Sequence, residues 1–421
     1  MAEPPVRRAR RVVAAAVLAA GGPAMAWQAA PAPAPVPASP PALVHLPAGV
    51  PAALVPLIRA QGTIPDAHPG KTFYLIVEGA FAGVIATENG AFLGGWPLAT
   101  PNEVLRVLAD RRLAFMWPAI EAWAGTALEP MRARMLTDAQ ERYRTGTPKP
   151  AKSTAESSVR PATRALLQLA AELDSAGRTA EATALLREKL AKPPGKGDWQ
   201  HSEYAMTALR LATIRYGRGD MTGAVEVLLA ASAALPDSRY NLNFDINRAS
   251  YLVQGGQYAA GLDLIDRTLA RYTGELGEKW TPGEDQVPGS MREFALIRAC
   301  ALNGLGRGDE AKAELGALLN APEPTDPVFV LTNNATLRFR ALLCQRDVEA
   351  LAGFIADTLN GPVVADGLLV WLQRDFETPY LDPALVQAVR THPKVRAAAA
   401  TRVRVLGPEL GAVLNRKPAA R

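Results

Sequence analysis

From residue 163 onward, apolar residues recur at helical spacing in paired stretches separated by short turns that carry glycine. One pattern returns four times: a small residue, glycine seven later, a small residue five beyond, and a large aliphatic four beyond that. Ala170, Gly177, Ala182 and Leu186 form the first instance, and Ala212, Gly219, Ala224 and Leu228 the second. Ala249, Gly256, Gly261 and Ile265 form the third, and Ala299, Gly306, Ala311 and Leu315 the fourth. Four occurrences in order predict a series of helix–turn–helix units. The small residues mark where paired helices approach closely, and the glycine allows the tight turn between them. Leu or Ile then closes the core against the neighbouring unit. Successive copies lie 42, 37 and 50 residues apart, so the extra length falls between units. The longest insertion, Gly274 to Ser290, carries Glu275, Glu278, Glu284 and Asp285, and reads as a solvent loop or a lip over a binding face. A degenerate fifth unit is expected over 328–360.

Ahead of the repeats the period changes. Residues 50–61 carry a helical pattern with Val50, Leu54, Leu57 and Ile58. Runs rich in β-branched and aromatic residues follow at 73–77, 81–87 and 91–93, the last two joined by Asn89-Gly90, a strong hairpin signal. Thr100-Pro101-Asn102-Glu103 has the composition of a helix start, and Val104, Leu105 and Leu108 give that helix a buried stripe. A further helix is expected from about Pro118 to Arg144, kinked at Pro130. Residues 43–144 thus read as a small α+β module. The hairpin and capped helix resemble the second half of a thioredoxin-like domain. No cysteine precedes Cys300 and Pro69 lies four residues before Phe73, so the resemblance implies a binding domain without redox chemistry. Residues 145–160 lack apolar periodicity and read as a linker. Residues 361–421 read as a helical cap on the array, rich in Arg and Lys.

The repeated units resemble the tetratricopeptide repeat, whose unit carries the same small, glycine and aliphatic positions and a terminal proline. Pro194 and Pro236 match that proline in the first two copies, and Tyr258 matches the tyrosine after the turn in the third. The resemblance covers 163–325 and implies a right-handed α-solenoid of four to five helix pairs over 163–360. The chain is then mainly α, with the α+β domain and its β-hairpin in front. It further implies a concave groove lined by the first helix of each pair, which takes a protein or peptide. By register the groove positions are Arg164, Leu167, Ala171 and Asp174, then Met206, Leu209, Thr213 and Tyr216. The third copy supplies Asn243, Ile246, Ser250 and Val253, and the fourth Glu293, Leu296, Cys300 and Asn303. Leu167 and Ala171 stand where the family's clamp for a terminal carboxylate has lysine and asparagine, which argues against that ligand.

Residues 1–26 read as a secretory signal. Arg7, Arg8, Arg10 and Arg11 precede an apolar stretch from Val12 to Ala20, and Ala24-Met25-Ala26 supplies a small-x-small cleavage pattern. The apolar stretch is about half the ~20 residues that span a bilayer. No other stretch reaches that length without charge, so no transmembrane segment is expected. The Pro/Ala-rich segment 27–42 follows as an extended spacer. The chain holds 46 Lys and Arg against 41 Asp and Glu. The signal accounts for four of the Arg and for Glu3, so cleavage near Ala26 leaves 42 against 40. A nearly neutral mature chain removes the argument for nucleic acid. The expected location is the periplasm, or the exterior.

Recognisable catalytic motifs are missing. Gly70-Lys71-Thr72 ends like a phosphate loop, but Pro65 replaces its leading glycine and a strand follows it. Gly304-Leu305-Gly306-Arg307-Gly308 imitates a dinucleotide loop, yet it is the turn of the fourth repeat. His45, His68, His201 and His392 are far apart in sequence and suggest no metal site. Cys300 and Cys344 fall on first helices of consecutive units. An oxidising compartment permits a bond between them, but helix-borne pairs rarely meet the required separation, so two separate buried thiols are expected. The reading is an exported scaffold without catalysis, cofactor or metal that mediates protein–protein interaction in the cell envelope. The basic cap could add peripheral contact with an anionic envelope surface. Two alternatives stay open: an enzyme with its site in the amino-terminal module, in a cleft between Glu78 and Glu88, and a structural subunit of an envelope assembly.

Overall fold

A computed structural model describes residues 50–276 apart from 51, 65–67, 79–80, 90, 99–100, 151–158, 237 and 239, and then 289–319, 334–361, 366–373 and 382–406. The expected signal and spacer over 1–42, most of the Gly274–Ser290 insertion and the last fifteen residues lie outside that set. The protein is mainly helical, with one four-stranded antiparallel sheet. It divides into two compact units. Of the described residues, the first gathers those up to Met135 with 355–361, 366–373 and 393–406, and the second holds those of 136–354 with 382–392.

In the first unit, strands β1 (Ile58–Thr63), β2 (Lys71–Glu78), β3 (Phe81–Glu88) and β4 (Ala91–Pro97) pair in sequence order. Asn89 takes φ 49°, and Glu88 pairs with Ala91, which gives the two-residue hairpin expected from Asn89-Gly90. The expected hairpin is therefore part of a four-stranded meander. All its pairings are antiparallel, and its helix follows the last strand. Side chains alternate across a strand, and here both faces are covered. Phe73, Leu75 and Val77 pack with Val104, Leu105 and Leu108 of helix α1 (Pro101–Ala109) and with Ile120 and Trp123 of α2 (Trp117–Thr145). Tyr74, Ile76 and Ile85 pack on Val50, Leu54 and Ile58.

That second face explains where the helix expected over 50–61 goes. Ala52–Leu57 is a 3₁₀ turn containing Pro56, and Ile58 onward is β1. Proline removes an amide donor, and a bulge in β1 sends Ile58 and Ala60 to the cores on opposite faces of the sheet instead of along one helical stripe. Within β1, Gly62 lies under the Phe115 ring, where an added Cβ would sit 2.4 Å from the ring. Pro130 is accommodated inside α2, which runs unbroken to Thr145.

The carboxy-terminal segments correct the expected cap. Helix α13 (Asp366–Trp371) packs on α1, and α15 (Pro393–Arg402) packs on the 3₁₀ turn Arg111–Met116. Val403 pairs antiparallel with Asp110, and the Arg404 amide donates to the Ala109 carbonyl at 2.8 Å. Leu406 enters the same core as Leu105 and Ile120. Buried Gln373 accepts from the Leu406 amide at 2.9 Å and donates to the Arg404 carbonyl at 3.1 Å. The sequence after Arg402 is apolar enough to join a core, and the nearest one belongs to the sheet.

The second unit contains helix pairs α3 (Pro161–Ser175) with α4 (Thr179–Leu190), α5 (Asp198–Gly217) with α6 (Met221–Ala234), and α7 (Tyr240–Gln254) with α8 (Tyr258–Leu276). Next come α9 (Gly289–Gly304) with α10 (Gly308–Leu319), and α11 (Asn334–Gln345) followed by α12 (Val348–Asn360), which starts in this unit and belongs to the first from Ile355 on. Through α10, each helix packs on its partner, each second helix on the next first helix, and first helices on one another. Ala170, Ala182, Ala212, Ala224, Ala249, Ala299 and Ala311 are all buried, as are Leu186, Leu228, Ile265 and Leu315. The four turn glycines take nearly the same conformation: φ 78° at Gly177, 79° at Gly219 and Gly256, and 76° at Gly306. At each, the glycine amide reaches back three residues and the next amide five, so two orphan carbonyls of the first helix are satisfied. The fifth turn places Arg346 at φ 56° where the others have glycine. Helix α14 (Pro383–Thr391) completes the described part of this unit.

Cys300 on α9 and Cys344 on α11 form a disulfide with Cα atoms 5.0 Å apart, so the expectation of two separate thiols is overturned. First helices of consecutive pairs lie side by side, and that brings the two Cα atoms inside the range of roughly 4.4–6.8 Å that the bond needs.

Candidate functional site

The positions expected to line a groove fall into three groups. Leu167, Val253 and Leu296 are buried in the cores between pairs and line nothing, a correction to the register carried over from the repeat. Each lies on the side of its helix that meets the next pair. Met206, Leu209 and Ile246 are half-buried and pack on those same cores. The third group joins one first helix to the next. Asp174 accepts from Arg218 at 2.8 Å and from the Thr179 hydroxyl at 2.7 Å. Glu293 pairs with Arg340 of α11, with Arg340 Nη1 donating to Oε2 at 2.7 Å. Asn303 Nδ2 donates to the Cys344 carbonyl at 2.9 Å. Burial works against the Arg340 charge, but the Glu293 carboxylate outweighs it, so Arg340 stays ionised. Arg164 is half-buried on α3.

What remains open is the face shared by α5 and α7. Thr213, Asn243 and Gln254 are exposed, and Tyr216, Asn247 and Ser250 are half-buried. Asn243, Asn247, Ser250 and Gln254 lie at i, i+4, i+7 and i+11, so they form one stripe along α7. Tyr216 crosses from α5: its hydroxyl donates to Gln254 Oε1 at 2.6 Å, and its ring stacks on Tyr251 with centroids 4.8 Å apart. Gln254 Nε2 donates to Ser250 Oγ at 3.0 Å, and Asn247 Nδ2 donates to Asn243 Oδ1 at 2.7 Å. Burial pushes the Tyr251 phenol up, opposed in part by a hydrogen bond with Thr213, so it stays protonated. Every group in the stripe is neutral and can both donate and accept. Such a row is chemically matched to the alternating N–H and C=O of an extended main chain. Asn247, Tyr251 and Gln254 escape a register borrowed from the repeat; the helical spacing of amide and hydroxyl residues on α7 is the signal that finds them.

Lys71 pairs with Glu88 at one end of the β2–β3 ladder and Glu78 with Phe81 at the other. Seven residues of strand, about 23 Å, therefore separate Glu78 from Glu88. Asp110 accepts from the Arg112 amide at 3.0 Å and its Nε at 2.9 Å, which caps the 3₁₀ turn and pins the guanidinium. His68 is held below the usual histidine range by burial and then by Lys71 and Arg112, with Asp110 opposing. The basic cap is also partly engaged. Arg402 donates to the Leu359 and Gly361 carbonyls, and Arg404 pairs with Glu121 and covers the Trp117 ring at 4.4 Å.

Among the described residues no three His, Cys, Asp or Glu side chains are placed to hold a metal ion. No helix among them is long and apolar enough to cross a membrane. No protein-family model matches this chain, and neither does any curated protein or solved structure.

Proposed function

We propose that the chain is an exported scaffold whose helix pairs form a tetratricopeptide-like, right-handed solenoid, and that it binds an extended segment of another protein without chemistry of its own. The observation that carries this reading is the neutral stripe Asn243, Asn247, Ser250 and Gln254, joined by Thr213 and Tyr216 from the neighbouring helix. Hydrogen-bonding groups of both kinds along one helix face suit main-chain amides, and the absence of charge in the stripe disfavours a terminal carboxylate. The 1–26 signal and the Cys300–Cys344 disulfide point the same way on location, because such bonds persist in oxidising compartments such as the periplasm.

The test is a selection of twelve-residue peptides against the mature chain, followed by titration of the selected peptide. Replacing Asn243 and Gln254 together by Ala is expected to weaken binding at least tenfold. Leu229→Ala, at an exposed position on α6, is expected to leave it unchanged. A double variant that binds as tightly as the unaltered chain, or a selection that yields no binder, sinks the reading.

A further inference from the structure

We infer that the Cys300–Cys344 disulfide is a redox latch that holds helix α11 against α9, and that a dithiol releases it. The inference is independent of peptide binding on α5 and α7.

The apolar joint between these helices is thin on one side. Helix α9 contributes Phe294, Leu296, Ile297, Ala299, Ala301 and Leu302 to the core it shares with α7, α8 and α10. Among the described side chains, α11 contributes Ala341 as a buried residue and Cys344 as a half-buried one. The polar ties across the joint are Arg340–Glu293, whose side chains are 34% and 22% exposed, and the hydrogen bond from Asn303 to the Cys344 carbonyl. The pair is bidentate, with Arg340 Nη2 also donating to Glu293 Oε1, so it helps to hold the joint. On its far side the same segment has its own attachments to the chain around α14: Arg346 pairs with Asp382, and His392 Nε2 meets Glu349 Oε2 at 2.9 Å. The covalent bond is the tie from α11 to α9 that a reductant can remove.

Cys300 and Cys344 are each half-buried, so neither residue is sealed from solvent. They are also the two cysteines of the whole sequence, so no other intramolecular pairing competes. A thiolate of the dithiol attacks one sulfur, the Cys300–Cys344 bond breaks, and a mixed disulfide forms. The second thiol of the reductant then displaces the protein, closing the reductant's own disulfide and leaving Cys300 and Cys344 as two thiols. Two electrons and two protons pass to the protein.

The experiment is hydrogen exchange on the full mature chain, oxidised and after treatment with dithiothreitol, with thiols counted by alkylation and intact mass. Upon reduction, amides of 338–345 are expected to lose protection at least tenfold, while those of 161–254 keep theirs. The variant carrying Cys300→Ser and Cys344→Ser is expected to match the reduced chain. Unchanged protection over 338–345 overturns the latch, since packing then suffices. An equal loss across the whole second unit also overturns it, because the bond then acts as a general staple. Two free thiols in the exported protein overturn it outright. Reducing the already folded chain keeps the test valid if the serine variant does not fold.

Discussion

Four glycines at φ 76–79° and one arginine at φ 56° occupy equivalent turns, and the difference has a sign that can be measured. A side chain at a left-handed position costs roughly 1–2 kcal/mol, so Gly219→Ala is expected to lower stability by about that amount. Arg346→Gly is expected to raise it by up to about 1 kcal/mol, less whatever its exposed pair with Asp382 contributes. Shifts of opposite sign in the denaturant midpoint check the pair. Glu203 offers a second test. Burial pushes its carboxyl up, but hydrogen bonds from Arg160 and Thr163, with the charges of Lys189 and Arg160, bring it below the usual glutamate range. A carboxyl lowered on folding stabilises the native state above its unfolded value of about 4.3, and that stability is lost as pH falls through the lower folded value. Glu203→Gln should therefore destabilise at pH 7 and converge with the unaltered chain in acid, as read by melting between pH 3 and pH 7. At this scale the sequence is most legible. Ala170, Gly177, Ala182 and Leu186 announce their roles because burial of a small residue and a left-handed turn are local demands. The bond between Cys300 and Cys344 is hidden, because it depends on how two helices lie beside each other.

Elements are legible where period and composition agree. Val104, Leu105 and Leu108 mark α1 correctly because the helix has one buried side. Residues 50–61 mislead, since Leu54 and Ile58 fit a helical stripe and also a turn feeding a strand; the neighbouring sheet decides between them. The candidate face shows the same limit. A register borrowed from a repeat does not fix which side of a helix is covered, so Leu167, Val253 and Leu296 turn out to be core. Gln373 gives an element-level prediction. It holds the segment 403–406 by both its amide oxygen and nitrogen, so Gln373→Ala leaves the Leu406 amide and Arg404 carbonyl without that partner. A loss of about 1–3 kcal/mol is expected, seen as a lowered midpoint together with faster exchange of the Leu406 amide.

For the whole molecule, the disulfide closes a loop with a sequence separation of 44. In the chain-entropy account a loop of that length is worth at most about 4 kcal/mol; a bond that ties only α11 to α9 moves the global transition far less, so melting curves under reducing and oxidising conditions should nearly coincide. Domain order was the least legible property. A reading along the sequence finds contiguous modules, and 361–421 looks like a cap because it follows the repeats. Leu406 shows why that fails: its core partners, such as Leu105, lie almost the whole described chain away. Arg111 and Val403 meet across 292 residues. Synthesis delivers a chain from its amino end, so the sheet emerges first yet closes its core only when residue 406 arrives. At about 5–20 residues per second that interval lasts about 15–60 s. During it the apolar surface awaiting Leu406 stays uncovered while every helix pair between is already free to fold. The first module to appear is the last to be finished, and its exposure to holding chaperones is set by the length of the array inserted within it.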